Sequence, residues 1–173
     1  MVTKLISILF LSVVFVGCIQ HKISLSNNIG FKNQLKLDGF YYTSINPKTK
    51  AVQKFFLYEN GVILNMMAFD SVDLVDLEKQ IQGFNKYSSK NKKNYLSWGV
   101  FELKNNNISI TSWYPSSGGP LPVYVEKGGI LNDSTFIIKW YETTKGKKVR
   151  DLNDVYRFHK FSPKPDSTNY VIK

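Results

Sequence analysis

From residue 35 onward, the sequence is a succession of short runs rich in aromatic and β-branched residues, separated by turn residues. Runs of this kind predict β-strands that follow one another through tight turns. The clearest turn is Asn60-Gly61, since Asn-Gly between two apolar runs is the strongest short-range signal for a type I′ hairpin. Further turns are predicted at 105–107, 128–129 and 132–134. The predicted strands are 36–43, 52–58, 62–67, 95–103, 106–114, 121–126, 129–131, 135–141 and 155–161.

One helix is predicted near 71–86, between the third and fourth of these strands. Asp70 or Ser71 is suited to cap its start, and Asp73 and Asp76 oppose the helix dipole there. Apolar residues recur at spacings of three and four, which places them on one helix face. They are Leu74, Leu77, Ile81 and Phe84.

A meander of eight to nine antiparallel strands has exposed edges unless it closes into a barrel or folds into a sandwich. We therefore predict a single all-β domain at 35–161, mainly antiparallel, as a barrel or a sandwich with one helix. Residues 162–173 follow two prolines and are expected to form a peripheral C-terminal tail.

The first 18 residues have the layout of a secretion signal. Lys4 precedes an apolar stretch at 5–16, which suits a signal peptide and is shorter than the roughly 20 residues of a spanning helix. The string Val16-Gly17-Cys18 resembles the lipobox of bacterial lipoproteins, although Phe15 replaces the usual Leu.

The lipobox resemblance implies that residues 1–17 are removed and that Cys18 carries fatty acyl chains such as palmitate, which anchor the chain to a membrane. Residues 18–34 would then be the lipidated cysteine and a flexible tether. Ile19 rather than Asp follows the cysteine, which in such lipoproteins favours the outer membrane of the cell envelope over the inner one. Because Cys18 is the only cysteine, no disulfide forms within the chain.

The chain is basic, with a formal net charge of +10. Its lysines cluster only at 86–93 and 145–150, in stretches rich in Ser, Asn, Gly or Thr. This favours solvated loops, with an anionic membrane surface as the alternative. Nucleic acid is not expected as a partner of a protein tethered outside the cytoplasm.

Residues suited to catalysis or metal binding are few. Only His21, in the tether, and His159, in the last strand, are histidines, and no His/Cys metal site can be assembled. No nucleophile or phosphate-loop motif occurs. Nothing in the sequence pairs the carboxylates that glycoside chemistry would need. These are Asp38, Glu59, Glu102, Glu126 and Glu142. We therefore predict no catalytic residue, no cofactor and no metal site.

Aromatic residues make up 14% of the chain, and packing a small β domain accounts for many of them. Some could instead line a cavity, because an eight-stranded barrel is just wide enough to hold one small ligand or to be filled by side chains. The candidates are Tyr41, Phe56, Trp98, Trp113, Tyr124 and Trp140. The sequence leaves both uses open.

Together, these features resemble the small lipocalin-like lipoproteins of bacterial envelopes. The resemblance rests on the lipobox, the first-strand string at 37–42, the Asn60-Gly61 hairpin and the late strand at 156–158. Lipocalins usually have Gly-x-Trp in the first strand, beside an Arg of the last. Gly39-Phe40-Tyr41 and Arg157 stand in those places here. The resemblance implies a barrel and a small apolar ligand, and it identifies no ligand-site residue.

The leading hypothesis is a membrane-tethered binding or structural module for a small apolar ligand or another envelope component. The alternatives are a protein-interaction module, such as an inhibitor or immunity factor, and a hydrolase. A closed barrel with a continuous apolar cavity would favour ligand binding. A filled barrel with an exposed apolar patch would favour a protein partner. A cleft that gathers His159 with two carboxylates would favour an enzyme.

Overall fold

The structure is a computed structural model, and it describes residues 21–25, 34–44, 48, 51–68, 73–86 and 88–173. The predicted signal peptide at 1–17 and Cys18 lie outside the described residues, as does most of the predicted tether. No helix within the described ranges is long and apolar enough to cross a membrane.

Eight antiparallel strands form a closed barrel in which each strand pairs with the next along the chain and the last pairs with the first. The strands are β1 (Gly39–Tyr42), β2 (Val52–Leu57), β3 (Val62–Ala68), β4 (Trp98–Lys104), β5 (Asn107–Trp113), β6 (Val123–Asn132), β7 (Thr135–Thr143) and β8 (Lys148–Lys160). The all-β antiparallel prediction is confirmed, and of its two alternatives the structure is the barrel.

Several predicted boundaries are wrong, and residues 95–97, for example, form a 3₁₀ turn rather than the start of a strand. Gly128 and Gly129 form no turn but lie inside the continuous strand β6, next to a register shift between Lys127 and Gly128. A Cβ atom at Gly128 would lie 1.7 Å from the carbonyl oxygen of Ile137, so glycine is needed here for close approach of two strands. Strand β8 begins at Lys148 rather than 155, because its polar first half still pairs with β7.

The turns at the hairpins are confirmed, with one difference in type. At the β2–β3 hairpin only Gly61 has a positive φ, 79°, and its N–H donates to the carbonyl of Tyr58 at 2.9 Å. This is a three-residue hairpin loop that ends in a left-handed glycine, not the predicted type I′ turn. The left-handed pair that type I′ requires occurs at Asn105 and Asn106, with φ of 50° and 59°.

The segment between β3 and β4 contains α1 (Leu74–Lys86), the short helix α2 (Ser88–Asn91) and a 3₁₀ turn (Tyr95–Ser97). The carboxylate of Asp73 accepts a hydrogen bond from the N–H of Asp76 at 2.9 Å and so caps α1. Asp70 and Ser71, the predicted caps, lie outside the described residues, as does the side chain of Phe84. Leu77 and Ile81 are buried, which confirms the predicted apolar face.

Alternate residues of each strand face the inside or the outside of the barrel, and both faces are packed. The inner cluster is drawn from strands all around the barrel: Tyr41, Phe55, Leu57, Ile63, Phe101, Leu103, Ile108, Ile110, Phe136, Ile138 and Tyr156, with Leu35. The outer cluster includes Leu77 and Ile81, so α1 packs on the outer wall. His159 Nε2 lies 2.7 Å from Glu78 Oε1 and joins α1 to β8.

Both ends of the described chain pack against the barrel. Lys164 Nζ donates to the carbonyls of Leu37 and Leu57 at 2.7 and 2.6 Å, and the Tyr58 hydroxyl donates to the Pro165 carbonyl at 2.8 Å. The C-terminal segment is therefore not the peripheral tail that was predicted.

Residues 21–25 belong to the predicted tether, yet they also lie on the barrel. Ile23 is buried in the outer cluster, and the indole N–H of Trp113 donates to the carbonyl of His21 at 2.8 Å. This part of the tether is thus ordered, because its apolar side chain and its backbone both find partners on the barrel wall.

Candidate functional site: the open end of the barrel

The two ends of the barrel differ in how their strands are connected. At one end the strands are joined by the tight hairpins between β2 and β3, β4 and β5, and β6 and β7. At the other end, β7 and β8 are also joined by a tight turn, but the other connections are longer and include α1 and the loop at 114–122. We call these the closed end and the open end.

Aromatic side chains fill the lumen toward the closed end. The ring of Tyr156 stacks on those of Phe136 and Phe55, with centroid distances of 4.8 and 5.0 Å. The Tyr41 hydroxyl donates to the carbonyls of Lys36 and Asp133, both at 3.1 Å, and so holds the segment before β1 across this end. This half of the lumen is a packed core.

Toward the open end, the lumen widens into a cavity of about 550 Å³. Its polar lining includes Gln53, Asn65, Tyr114, Glu126, Tyr141, Arg150 and Asp154 from the barrel, and Asn91, Asn94 and Ser97 from the segment before β4. Apolar lining comes from Met67, Leu96 and Leu152, among others. A second cavity of about 380 Å³ shares Gln53, Met67 and Asp154 with the first, so the open space continues toward β1 and β8. The lining is therefore amphiphilic rather than continuously apolar.

Glu126 is the buried acid of this cavity. Strand β6 places it opposite Ile110 of β5 and Tyr141 of β7, and only 4% of its surface is exposed. The Tyr114 hydroxyl donates to its Oε1 atom. Its Oε2 atom is buried and has no hydrogen-bond partner within the described ranges. A buried carboxylate oxygen without a partner is costly, because it has lost its water.

Burial raises the pKa of Glu126 to about 7. The hydrogen bond from Tyr114 opposes this shift, and the charge of Asp154 adds to it. Burial and the neighbouring Glu126 also raise the pKa of the Tyr114 hydroxyl, which therefore stays a neutral donor. Glu126 is thus poised to change protonation state near neutral pH when its surroundings change.

Three tyrosines surround this carboxylate and form what we call the tyrosine cluster: Tyr114, Tyr124 and Tyr141. The rings of Tyr114 and Tyr141 are nearly parallel, at 14° and 6.1 Å between centroids. The ring of Tyr124 lies edge-on to both, at 5.2 and 5.3 Å. Two rings of this cluster, those of Tyr114 and Tyr141, therefore line the cavity together with Glu126.

The six aromatic residues predicted to line a cavity do not come together. Trp113 lines the cavity, and Tyr124 belongs to the tyrosine cluster beside it. Tyr41 is in the filled half of the lumen, and Phe56 and Trp98 belong to the outer cluster.

Trp140 lies on the outside of the barrel, where its indole N–H donates to Glu142 at 3.1 Å. Simple alternation would place it inside with Phe136 and Ile138. A register shift between Ile138 and Trp140 reverses the faces, so that Tyr141 lines the cavity instead.

Sequence reasoning named Glu126 only as one of five unpaired acids, and it missed Tyr114 and Asp154. The available signal was the inward face of β6, where Tyr124, Glu126 and Gly128 alternate with Val125 and Lys127. His159, the one histidine of the predicted barrel domain, bonds to Glu78 on the outer wall, away from this cavity.

No group of three or more His, Cys, Asp or Glu side chains in the described part of the chain is arranged to hold a metal ion. No family model, curated protein or solved structure matches this chain.

Proposed function

We propose that this chain is a lipid-anchored protein of the bacterial envelope whose barrel binds a small molecule in its open end. The observation that carries the proposal is the cavity of about 550 Å³ that Glu126 helps to line, because the Oε2 atom of this residue is buried and has no partner among the described residues. Ligand pockets typically enclose roughly 300–1,000 Å³ and combine apolar walls with a few polar groups that fix orientation.

The expected apolar ligand is revised to an amphiphilic one. Met67, Leu96 and Leu152 offer apolar contact, whereas Glu126 needs a hydrogen-bond donor. A purely apolar ligand would exclude water from this carboxylate and leave it unsatisfied. A ligand with one polar end and an apolar body satisfies both parts of the lining.

The membrane anchor remains a proposal that rests on the lipobox. Only three peptide units separate Cys18 from His21, and a chain spans at most about 3.6 Å per residue. His21 is hydrogen-bonded to Trp113, which ends β5 at the open end. A lipid on Cys18 would therefore hold the open end within about 11 Å of the anchored cysteine.

Ligand binding is favoured over the protein-interaction alternative. That alternative predicts a filled barrel with an exposed apolar patch, but the lumen is filled only toward its closed end. The large apolar side chains that are exposed, such as Met67, Val75, Leu131 and Val149, come from separate elements: β3, α1, β6 and β8.

Native mass spectrometry of the full-length gene product, extracted from the envelope of its bacterial host, tests both parts. We expect the mass of a mature chain acylated at Cys18, together with a non-covalent small-molecule adduct. Asn65→Trp, which fills the cavity, should abolish the adduct. Leu131→Trp, at an exposed site beside the closed end, should retain it.

A chain that retains Met1 or carries no lipid would contradict the anchor. A bare protein mass, or an adduct that Asn65→Trp leaves unchanged, would contradict binding in this cavity.

A further inference from the structure

The inner part of the cavity is acidic although the chain as a whole carries a net charge of +10. Glu126 and Asp154 both belong to the lining, and they are close enough for the charge of Asp154 to raise the pKa of Glu126. The basic residue of the lining, Arg150, is an exposed residue near the start of β8. None of the ion pairs in the described ranges involves Arg150 or Asp154.

An anionic ligand group would meet two carboxylates at the inner part of this cavity and be repelled. A cationic group would instead be attracted to Asp154 and to Glu126, whose Oε2 atom has no partner among the described residues. It would also meet the tyrosine cluster, whose ring faces attract cations within about 6 Å. A primary ammonium adds N–H donors, which Oε2 lacks in the described structure.

We infer that the ligand is an amphiphile with an ammonium group, held at Glu126 and Asp154 beside the tyrosine cluster, with its apolar body toward Met67 and Leu96. This inference rests on the proposed ligand-binding function and names the chemical class of the ligand. The ammonium belongs either to a soluble amine or to the headgroup of a membrane lipid, and the chemistry of recognition is the same for both.

Octylammonium is a suitable probe, because it joins a primary ammonium to an apolar chain. Octanol and octanoate are its matched neutral and anionic controls. The protein is the mature chain, residues 18–173, with Cys18→Ala to keep it in solution. It contains the whole described fold, including both hydrophobic clusters.

By isothermal titration calorimetry, we expect octylammonium to bind at least tenfold more tightly than octanol or octanoate. Glu126→Gln should weaken octylammonium at least tenfold, the usual effect of losing a hydrogen bond between charged groups. Glu102→Gln, at an exposed carboxylate on β4, should leave its affinity unchanged.

Binding should also release a proton, because a bound cation stabilises the charged form of Glu126. At about pH 6, a fall of one unit in the pKa of Glu126 from about 7 would release roughly 0.4 proton per ammonium, and a larger fall would release more, measured in buffers of different ionisation enthalpy. The other titratable or charged groups that line the cavity or lie near Glu126 are Tyr114, Tyr124, Tyr141, Arg150, Asp154 and Tyr156. Glu126→Gln retains all six, so loss of proton release in this variant assigns the proton to Glu126.

Vesicles distinguish the two sources of the ammonium. Zwitterionic phosphatidylcholine vesicles with and without phosphatidylethanolamine avoid non-specific attraction to the basic chain. If the protein co-sediments only with vesicles that contain phosphatidylethanolamine, and Glu126→Gln abolishes this, the ammonium belongs to a lipid headgroup. Octylammonium binding without such co-sedimentation identifies a soluble amine.

Octanol or octanoate binding as tightly as octylammonium would overturn the ammonium inference. If Asn65→Trp abolished that binding, the proposed cavity function would stand. Failure of octylammonium to bind at millimolar concentration would also overturn the inference. This failure alone would leave the proposed function standing. The proposed function would be contradicted only if native mass spectrometry also found no small-molecule adduct that Asn65→Trp abolishes.

Discussion

Replacing Glu126 with Gln should make the protein more stable at alkaline pH while leaving it little changed in acid. Burial raises the pKa of Glu126 from its ordinary value of 4.5 to about 7. Between these values the folded protein binds more protons than the unfolded chain, so its stability falls as the pH rises. Each pKa unit corresponds to about 1.4 kcal/mol, so the loss amounts to roughly 3 kcal/mol by pH 8.

The Glu126→Gln variant removes this titration but keeps an oxygen that accepts the hydrogen bond of Tyr114. Its stability should therefore change little between about pH 4.5 and pH 8. Relative to the wild type, it should gain up to about 3 kcal/mol at pH 8 and nothing at pH 4.5.

Urea denaturation followed by tryptophan fluorescence measures this difference. For m-values of about 1–3 kcal/mol/M, the midpoint of the variant should exceed that of the wild type by roughly 1–3 M at pH 8. Glu102→Gln, at an exposed carboxylate, is the control and should give the pH profile of the wild type. Parallel profiles for wild type and Glu126→Gln would refute the reasoning, because they would mean that Glu126 has an ordinary pKa.

Three further changes test the packing. Lys54 is fully buried, and burial lowers its pKa from 10.5 to about 8. Lys54→Met should therefore stabilise the protein against urea by up to about 3 kcal/mol at pH 7. This gain should shrink as the pH rises from 8 to 10.5. Gly128→Ala should destabilise the protein by about 3 kcal/mol or more, because the new methyl group meets the backbone of β7. Gly83→Ala, in an open position of α1, should instead stabilise it by about 0.5–1 kcal/mol. Equal changes in the melting temperature of the two variants would contradict this. Trp113→Phe removes the hydrogen bond to His21, so amide hydrogen exchange in residues 21–25 should become faster. Unchanged exchange rates would show that this hydrogen bond does not hold the segment on the barrel.

Much of the fold follows from local sequence signals. The turns at Asn60-Gly61 and 105–107 are fixed by residues that tolerate left-handed backbone, and the helix at 74–86 by its apolar spacing and by Asp73. A barrel or a sandwich follows because a meander of this length must pair or cover its edges, and of these two the structure is the barrel.

Local signals fail where a distant strand decides the outcome. Gly128 looks like a turn residue, but it is required by the carbonyl of Ile137 on the neighbouring strand. The first half of β8 is polar and carries no strand pattern, and pairing with β7 defines it. Trp140 was a candidate for the cavity, but a register shift in β7 interrupts the alternation of faces and places it outside the barrel.

The candidate site could not be read from the sequence for the same reason. The site residues come from three parts of the chain: Glu126 lies on β6, Tyr114 follows β5, and Asp154 lies on β8. Only barrel closure and strand register bring them to one cavity. The burial that raises the pKa of Glu126 is likewise a property of the assembled barrel. A single acid in a strand gives no local sign of such an environment.

The carboxyl ¹³C resonance of Glu126, titrated with pH in the presence and absence of octylammonium, tests the central claim most directly. The account predicts a midpoint near pH 7 for the free protein. It also predicts that saturating octylammonium lowers this midpoint by at least about one unit, because a cation beside the carboxylate favours its charged form. A midpoint near 4.5 in the free protein, or one that octylammonium leaves unchanged, would contradict it.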